Sequence, residues 1–199
     1  MEERQYIAEL QDRYIDVSMD TRQAPCCLTW QDKDVASFGD LLSIIGPEKS
    51  RKSLLVDSII SSAYNPGEYY GLGFNLDLKG KAIVHIDTEQ PIRRVVMNRR
   101  RLYWMCENEK PPRRPNGYHS YSLRPYHYYE IIDQVEHILT EKHTNVGLLV
   151  LDQIADMVPE INDTEGANNL LKSIMKWQDQ HGCLVIVVMH TNRGRSSSN

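Results

Sequence analysis

Residues 41–53 read LLSIIGPEKSRKS, and the order of residue types in this stretch decides the fold. Leu41, Leu42, Ile44 and Ile45 form a short apolar run of strand length, and Gly46-Pro47 end it. Leu54, Leu55, Val56, Ile59 and Ile60 then follow at helical spacing. The reading is strand, loop, helix, with the loop carrying Glu48, Lys49, Ser50, Arg51, Lys52 and Ser53.

The same alternation continues along the chain. Strands are predicted at residues 82–86, 118–123, 146–151 and 183–189, and helices at about 91–106, 127–142 and 165–180. Strands that are apolar throughout and alternate with helices imply a parallel sheet covered on both faces, so the fold class is α/β in three layers. Residues 2–14 have an exposed helical pattern, and a less regular stretch runs through Pro25 and Trp30. The predicted organisation is therefore a helix and arm over 1–38 and a core over 39–199.

Length and composition narrow the field. The 199 residues suffice for one full domain with a real core, and 11 Gly and 9 Pro exclude collagen-like or low-complexity chains. The longest apolar run, Cys183 to Met189, is far too short for a membrane span, and the N-terminus has no signal-peptide pattern. The four cysteines lack CxxC spacing, which fits free thiols in a reducing compartment. The expectation is a cytoplasmic protein with no membrane partner. Net charge is −4, yet residues 91–114 carry +6, leaving −10 elsewhere. Only a local patch, not the whole chain, has the charge suited to nucleic acid.

In a doubly covered parallel sheet, ligands bind at the carboxyl ends of the strands, so the residues following each strand are the candidates. Residues 46–53 match GxxxxGK[ST] except that Arg51 stands where the second glycine belongs. That motif cradles phosphate with backbone N–H groups at a helix N-terminus. Gly46, Pro47, Glu48, Lys49, Ser50, Arg51, Lys52, Ser53 and Leu54 are then the nucleotide-binding candidates, with Lys52 on the β/γ-phosphates and Ser53 on Mg²⁺. An ordinary βα turn is the plain alternative, but Lys49, Arg51 and Lys52 at a positive dipole end are unfavourable unless an anion visits. A non-glycine residue in the left-handed conformation expected at position 51 costs about 1 kcal/mol or more.

Asp87-Thr88-Glu89-Gln90 follows the second strand, where a carboxylate can polarise an attacking water, or simply cap a helix. Leu149-Val150-Leu151-Asp152 has the form of a Walker B segment, with Asp152 as a Mg²⁺ partner opposite Ser53. His190 follows the last strand, in place to sense the γ-phosphate. The ordered conjunction is far more specific than any one member.

Together these residues resemble the RecA-like branch of P-loop NTPases, which includes RecA and the ring-forming replicative helicases. GPEKSRKS is similar to the GPESSGKT form of RecA, with the change at Arg51. The resemblance implies ATP and Mg²⁺ as cofactors and places the catalytic glutamate, within an IDxE context, at Glu89 of IDTEQ. It puts that glutamate on the strand next to the phosphate-loop strand, the Walker B aspartate at Asp152, and the strand-end sensor at His190. The segments GLGFNLDLKGKAIVHIDTEQ, DQIADMVPEIND and VVMHTNR are similar to RepA-like and mobile-element ATPases of the same branch. The likeness spans residues 41–193 and implies a homo-oligomeric ring acting on DNA, single-stranded, in plasmid or mobile-element replication, mobilization or excision. In that family the loop after the last strand faces DNA, which makes Arg193 and Arg195 the DNA-binding candidates. The family continues past this loop, so the expectation is a core truncated at its C-terminus.

The substituted loop also motivates a second reading, a nucleotide-binding regulatory module with little turnover. The arginines between 93 and 114 are read mainly as a solvated helix face or subunit interface, with Ile92, Val95, Val96 and Tyr103 turned inward. The aromatic runs at 118–121 and 126–129 could stack bases, but strand alternation and helix packing explain them more simply.

Overall fold

The computed structural model describes residues 24–66, 69–107, 113–160 and 163–191. Five strands form one wholly parallel sheet: β3 (Leu41–Gly46), β5 (Ala82–Asp87), β6 (Tyr118–Ser122), β7 (Val146–Asp152) and β8 (Leu184–His190). Their order across the sheet is β3-β8-β7-β5-β6. Four helices flank it: α1 (Lys52–Ser62), α2 (Ile92–Glu107), α3 (Tyr128–His137) and α4 (Thr164–His181). This is the α/β core that the alternating pattern implies, and it is consistent with the RecA-like P-loop core that the resemblance implies.

The central strands are apolar on both sides because both sides are covered. Along β7, Leu148 and Val150 join the cluster under α1 and α2, while Leu149 and Leu151 join the cluster under α3 and α4. On β8, Leu184, Ile186 and Val188 face the first cluster, and Val185 and Val187 the second. The period of two thus divides one continuous apolar run between two cores. Trp177 of α4 is fully buried in the second core, where its indole N–H donates to the Glu136 carboxylate of α3.

The stretch read as irregular around Trp30 is a hairpin of β1 (Cys26–Trp30) and β2 (Lys33–Ser37), whose turn places Gln31 and Asp32 at positive φ. With β4 (Phe74–Leu76) it makes a three-stranded antiparallel sheet, and Cys27, Leu28, Ala36 and Leu76 are buried with Val56, Ile59 and Ile60 of α1. The helix expected at 2–14 lies outside the described residues. The helix expected over 127–142 divides into α3 and a π-helical turn, Ile138–Lys142, closed by the His143 N–H on the Ile138 carbonyl.

Two further expectations are corrected. The strand that leads to Glu89, β5, is not beside the phosphate-loop strand, because β8 and β7 lie between them. On α2, Val95 is buried, but Ile92 and Val96 are exposed and Arg99 takes the inward place beside Leu102. A polar cluster accepts Arg99 there, so the buried stripe of α2 is not wholly apolar. Among the described residues, no helix is long and apolar enough to cross a membrane.

Candidate functional site

The parallel sheet sends the carboxyl ends of β3, β8, β7 and β5 to one edge. Register brings Gly46 opposite His190 on β3–β8, and Asp87 opposite Asp152 on β5–β7. The Thr191 N–H bonds the Gly46 carbonyl at 3.0 Å, continuing the ladder into the phosphate loop. A cavity of about 690 Å³ opens there, lined by residues 48–54 of the loop and by Glu89, Asp152 and His190. Gly46 and Pro47 contribute their carbonyls instead, each accepting from Lys52 Nζ at 2.8 Å. A Cβ on Gly46 would meet Ser50 Oγ at 3.0 Å, so a larger residue at the start of the loop would have to displace the Ser50 hydroxyl.

The loop takes the left-handed conformation at two non-glycine residues, Lys49 (φ 61) and Arg51 (φ 67). Arg51 is the residue before the first turn of α1, where an extended conformation is usual. Left-handed backbone at a non-glycine residue such as arginine carries strain. Arg51→Gly is expected to raise stability by about 0.5–1 kcal/mol, the relieved strain less the greater unfolded-state freedom of glycine. A thermal melt checks this; an unchanged or lower Tm would mean that the arginine side chain offsets the strain.

Lys52 makes a third contact, with His190 Nδ1 at 2.9 Å, and His190 Nε2 lies 3.1 Å from Glu89 Oε2. An ammonium only donates, so Nδ1 must accept, which leaves the proton on Nε2 to be donated to Glu89. The three residues expected to carry the chemistry are therefore joined in one hydrogen-bonded chain, Lys52–His190–Glu89. The Glu89 loop is fixed from below: the Thr88 hydroxyl lies 2.7 Å from the Gln153 carbonyl, and the Asp87 carboxylate accepts the Gln90 N–H at 2.8 Å.

Under the cavity floor sits a buried polar cluster. Arg99 Nε donates to Ser120 Oγ at 2.9 Å, and its other nitrogens lie 3.9 Å from Asp57 and 4.0 Å from Asp87. Arg101 donates to the Asp57 carboxylate, 3.1 Å from Nε. Burial pushes Asp57 up to about 6 against the opposing pull of Arg101 and Arg99. Burial likewise lifts Asp87 to about 6, with the nearby Asp152 charge adding to it. His85, buried on β5 and bonded through Nδ1 to Tyr118 Oη, is driven down to about 4 by burial and by Arg99, so it is neutral near pH 7. Asp152 stays below the usual carboxylate range: burial works against ionisation but is outweighed by the His85 imidazole, 3.9 Å away, and by Arg99 and His190.

These shifts predict a pH dependence. The Asp57 folded pKa lies above its unfolded value, so the folded state takes up the proton first as pH falls. Its destabilising contribution is complete above about pH 6 and vanishes below about pH 4. His85 acts in the opposite direction, losing stability as pH falls from about 6.5 towards 4. Comparison with Asp57→Asn cancels the His85 background. Between pH 7 and 4 the wild type is expected to gain about 2–3 kcal/mol relative to that variant. Denaturant unfolding at each pH measures it, and a pH-independent difference would mean that Asp57 is ionised throughout.

The donors suit Mg²⁺ with a triphosphate. Ser53 and the anionic Asp152 offer two hard oxygens on one cavity, and Mg²⁺ commonly takes one or two protein oxygens with phosphates and water completing its octahedron. The loop expected to cradle phosphate is already curled at Lys49 and Arg51. Arg193 and Arg195, the DNA candidates, lie outside the described residues. Missing from the sequence reading are Arg94, Asn98 and Arg101, which line the cavity from α2. Their spacing of four and three residues along one helix face was a legible signal, submerged among the neighbouring arginines.

Among curated proteins none matches the chain. The family model described as an AAA domain matches residues 6–196, nearly the whole chain. The loop that curls around Lys52 and this match agree, and the chain belongs to the AAA domain family of P-loop, nucleotide-binding proteins.

Proposed function

We propose that this protein is a Mg²⁺-dependent ATPase that works on single-stranded DNA as a homo-oligomeric ring, in the cytoplasm, in plasmid or mobile-element replication, mobilization or excision. The observation that carries the hydrolytic part is the Lys52–His190–Glu89 chain across one cavity, which Asp152 and Ser53 also line. The DNA part is supported by the resemblance of GPEKSRKS, IDTEQ and VVMHTNR to the RecA-like branch.

Mg²⁺, when bound, would neutralise negative charge on the phosphates. The loop amides and Lys52 hold the phosphates, and Ser53 and Asp152 hold the metal. Glu89 takes the proton of the attacking water. His190 is the sensor: when Lys52 turns from its own carbonyls to phosphate, Nδ1 loses its donor, and the change passes into the segment after β8. Arg193 and Arg195 of that segment would meet the DNA backbone.

The test is calorimetric titration of Mg-ATP into the chain, followed by phosphate release with and without single-stranded DNA. Micromolar binding and DNA-stimulated release are expected. Binding without any release would leave the regulatory module as the better account, and no heat of binding would remove the nucleotide reading for this chain.

A further inference from the structure

One wall of the nucleotide cavity is a stripe of α2: Arg94, Asn98 and Arg101. Two of the three are tied to the protein. Arg101 is held by Asp57 of α1, and the Asn98 amide donates to Gln90 Oε1 at 3.0 Å. Arg94 is different. Among the described residues its guanidinium has no hydrogen bond and no carboxylate partner, it is exposed, and it faces the same space as Lys49, Arg51 and Lys52.

The surroundings make this placement unfavourable without an anion. Arg94 stands in the first turn of α2, which contains no acidic residue, so its charge adds to the positive end of the helix dipole. Across the cavity, the first turn of α1 also lacks an acid and follows Lys49 and Arg51. The three carboxylates on the lining do not pair with Arg94: Glu89 is taken by His190, and neither Glu48 nor Asp152 makes an ion pair or hydrogen bond with the guanidinium among the described residues. A planar, always-charged fork on the lining of the cavity that the loop shares is suited to bidentate contact with phosphate oxygens.

We infer that Arg94 is a nucleotide-binding residue, gripping the polyphosphate from α2 opposite the phosphate loop, within the same chain. The inference rests on the Mg-ATP reading of the cavity. Arg94 thereby shares with the backbone amides the anchoring that a glycine at position 51 would have favoured. Arg93, its neighbour, does not line the cavity and carries the same charge in the same turn, so it is the matched control.

The experiment is calorimetric titration of Mg-ATP into the wild type and into Arg94→Ala, Arg93→Ala and Lys52→Ala, with thermal melts to show that each is folded. Arg94→Ala is expected to weaken Mg-ATP binding about tenfold, the loss of one charge-assisted contact, with Arg93→Ala unchanged. Equal affinity of Arg94→Ala and wild type, while Lys52→Ala abolishes binding, would overturn the role of Arg94 and leave the nucleotide site standing. Equal losses at Arg93 and Arg94 would also overturn it, in favour of a diffuse charge effect. If wild type fails to bind, or if Lys52→Ala binds as well as wild type, it is the nucleotide reading itself that fails.

Discussion

Replacing Glu89 with glutamine is expected to lower ATP turnover by about 10²–10⁴-fold while Mg-ATP binding persists. The two side chains have the same shape, and the glutamine Oε1 can still accept from His190 Nε2, which in the wild type lies 3.1 Å from the carboxylate. What glutamine cannot do is take a proton. The substitution therefore leaves the Lys52–His190–Glu89 geometry standing and removes only the base. Single-turnover phosphate release beside calorimetry separates the two quantities. Full turnover in the variant would show that another group activates water, and Asp152 or Asp87 would be next to test. Loss of binding together with turnover would mean that Glu89 supports the site's structure rather than its chemistry.

The second large effect concerns Lys52. The residue is buried, and its ammonium makes three contacts, with two backbone carbonyls and His190 Nδ1. Phosphate must therefore exchange for contacts already made, and the gain comes from replacing neutral acceptors with charged ones. Lys52→Ala is expected to weaken Mg-ATP binding at least about 100-fold, since hydrogen bonds to charged groups contribute about 1.5–3 kcal/mol each. The same variant leaves the Gly46 and Pro47 carbonyls without this donor, so a lower melting temperature is expected as well. Lys52→Arg keeps the charge but not the compact shape, and it should restore the melting temperature better than the affinity. Binding unaffected by Lys52→Ala would place the nucleotide elsewhere or nowhere.

Much of this was legible in the linear chain, for identifiable reasons. Residues 184–189 are apolar at every position because both faces of the sheet are covered, and that pattern survives without knowing the partners. The phosphate loop is legible because its chemistry is local: a glycine that permits a close turn, a lysine and a hydroxyl, all within eight residues. Asp152, Glu89 and His190 stand at strand ends, and a parallel sheet gathers strand ends at one edge.

The rest was not local. The β1–β2 hairpin was missed because its short strands carry exposed Lys33, Asp34 and Val35 and are completed only by β4, some forty residues later. Helical periodicity assigned Ile92 and Val96 to the core and Arg99 to solvent, whereas a buried guanidinium is tolerated only because Asp57, Asp87 and Ser120 converge from three other elements. The separation of β5 from β3 by β7 and β8 depends on strand order, which no local pattern encodes.

By itself, then, the sequence determined the fold class, the phosphate loop and the acids and histidine at the strand ends, since each depends on residues close in the chain. Only the tertiary structure decided that Lys52, His190 and Glu89 touch, that Arg51 is held left-handed, and that Arg94 faces the same cavity. Those facts depend on crossovers between distant strands and on the direction in which α2 presents each side chain, and packing alone settles both.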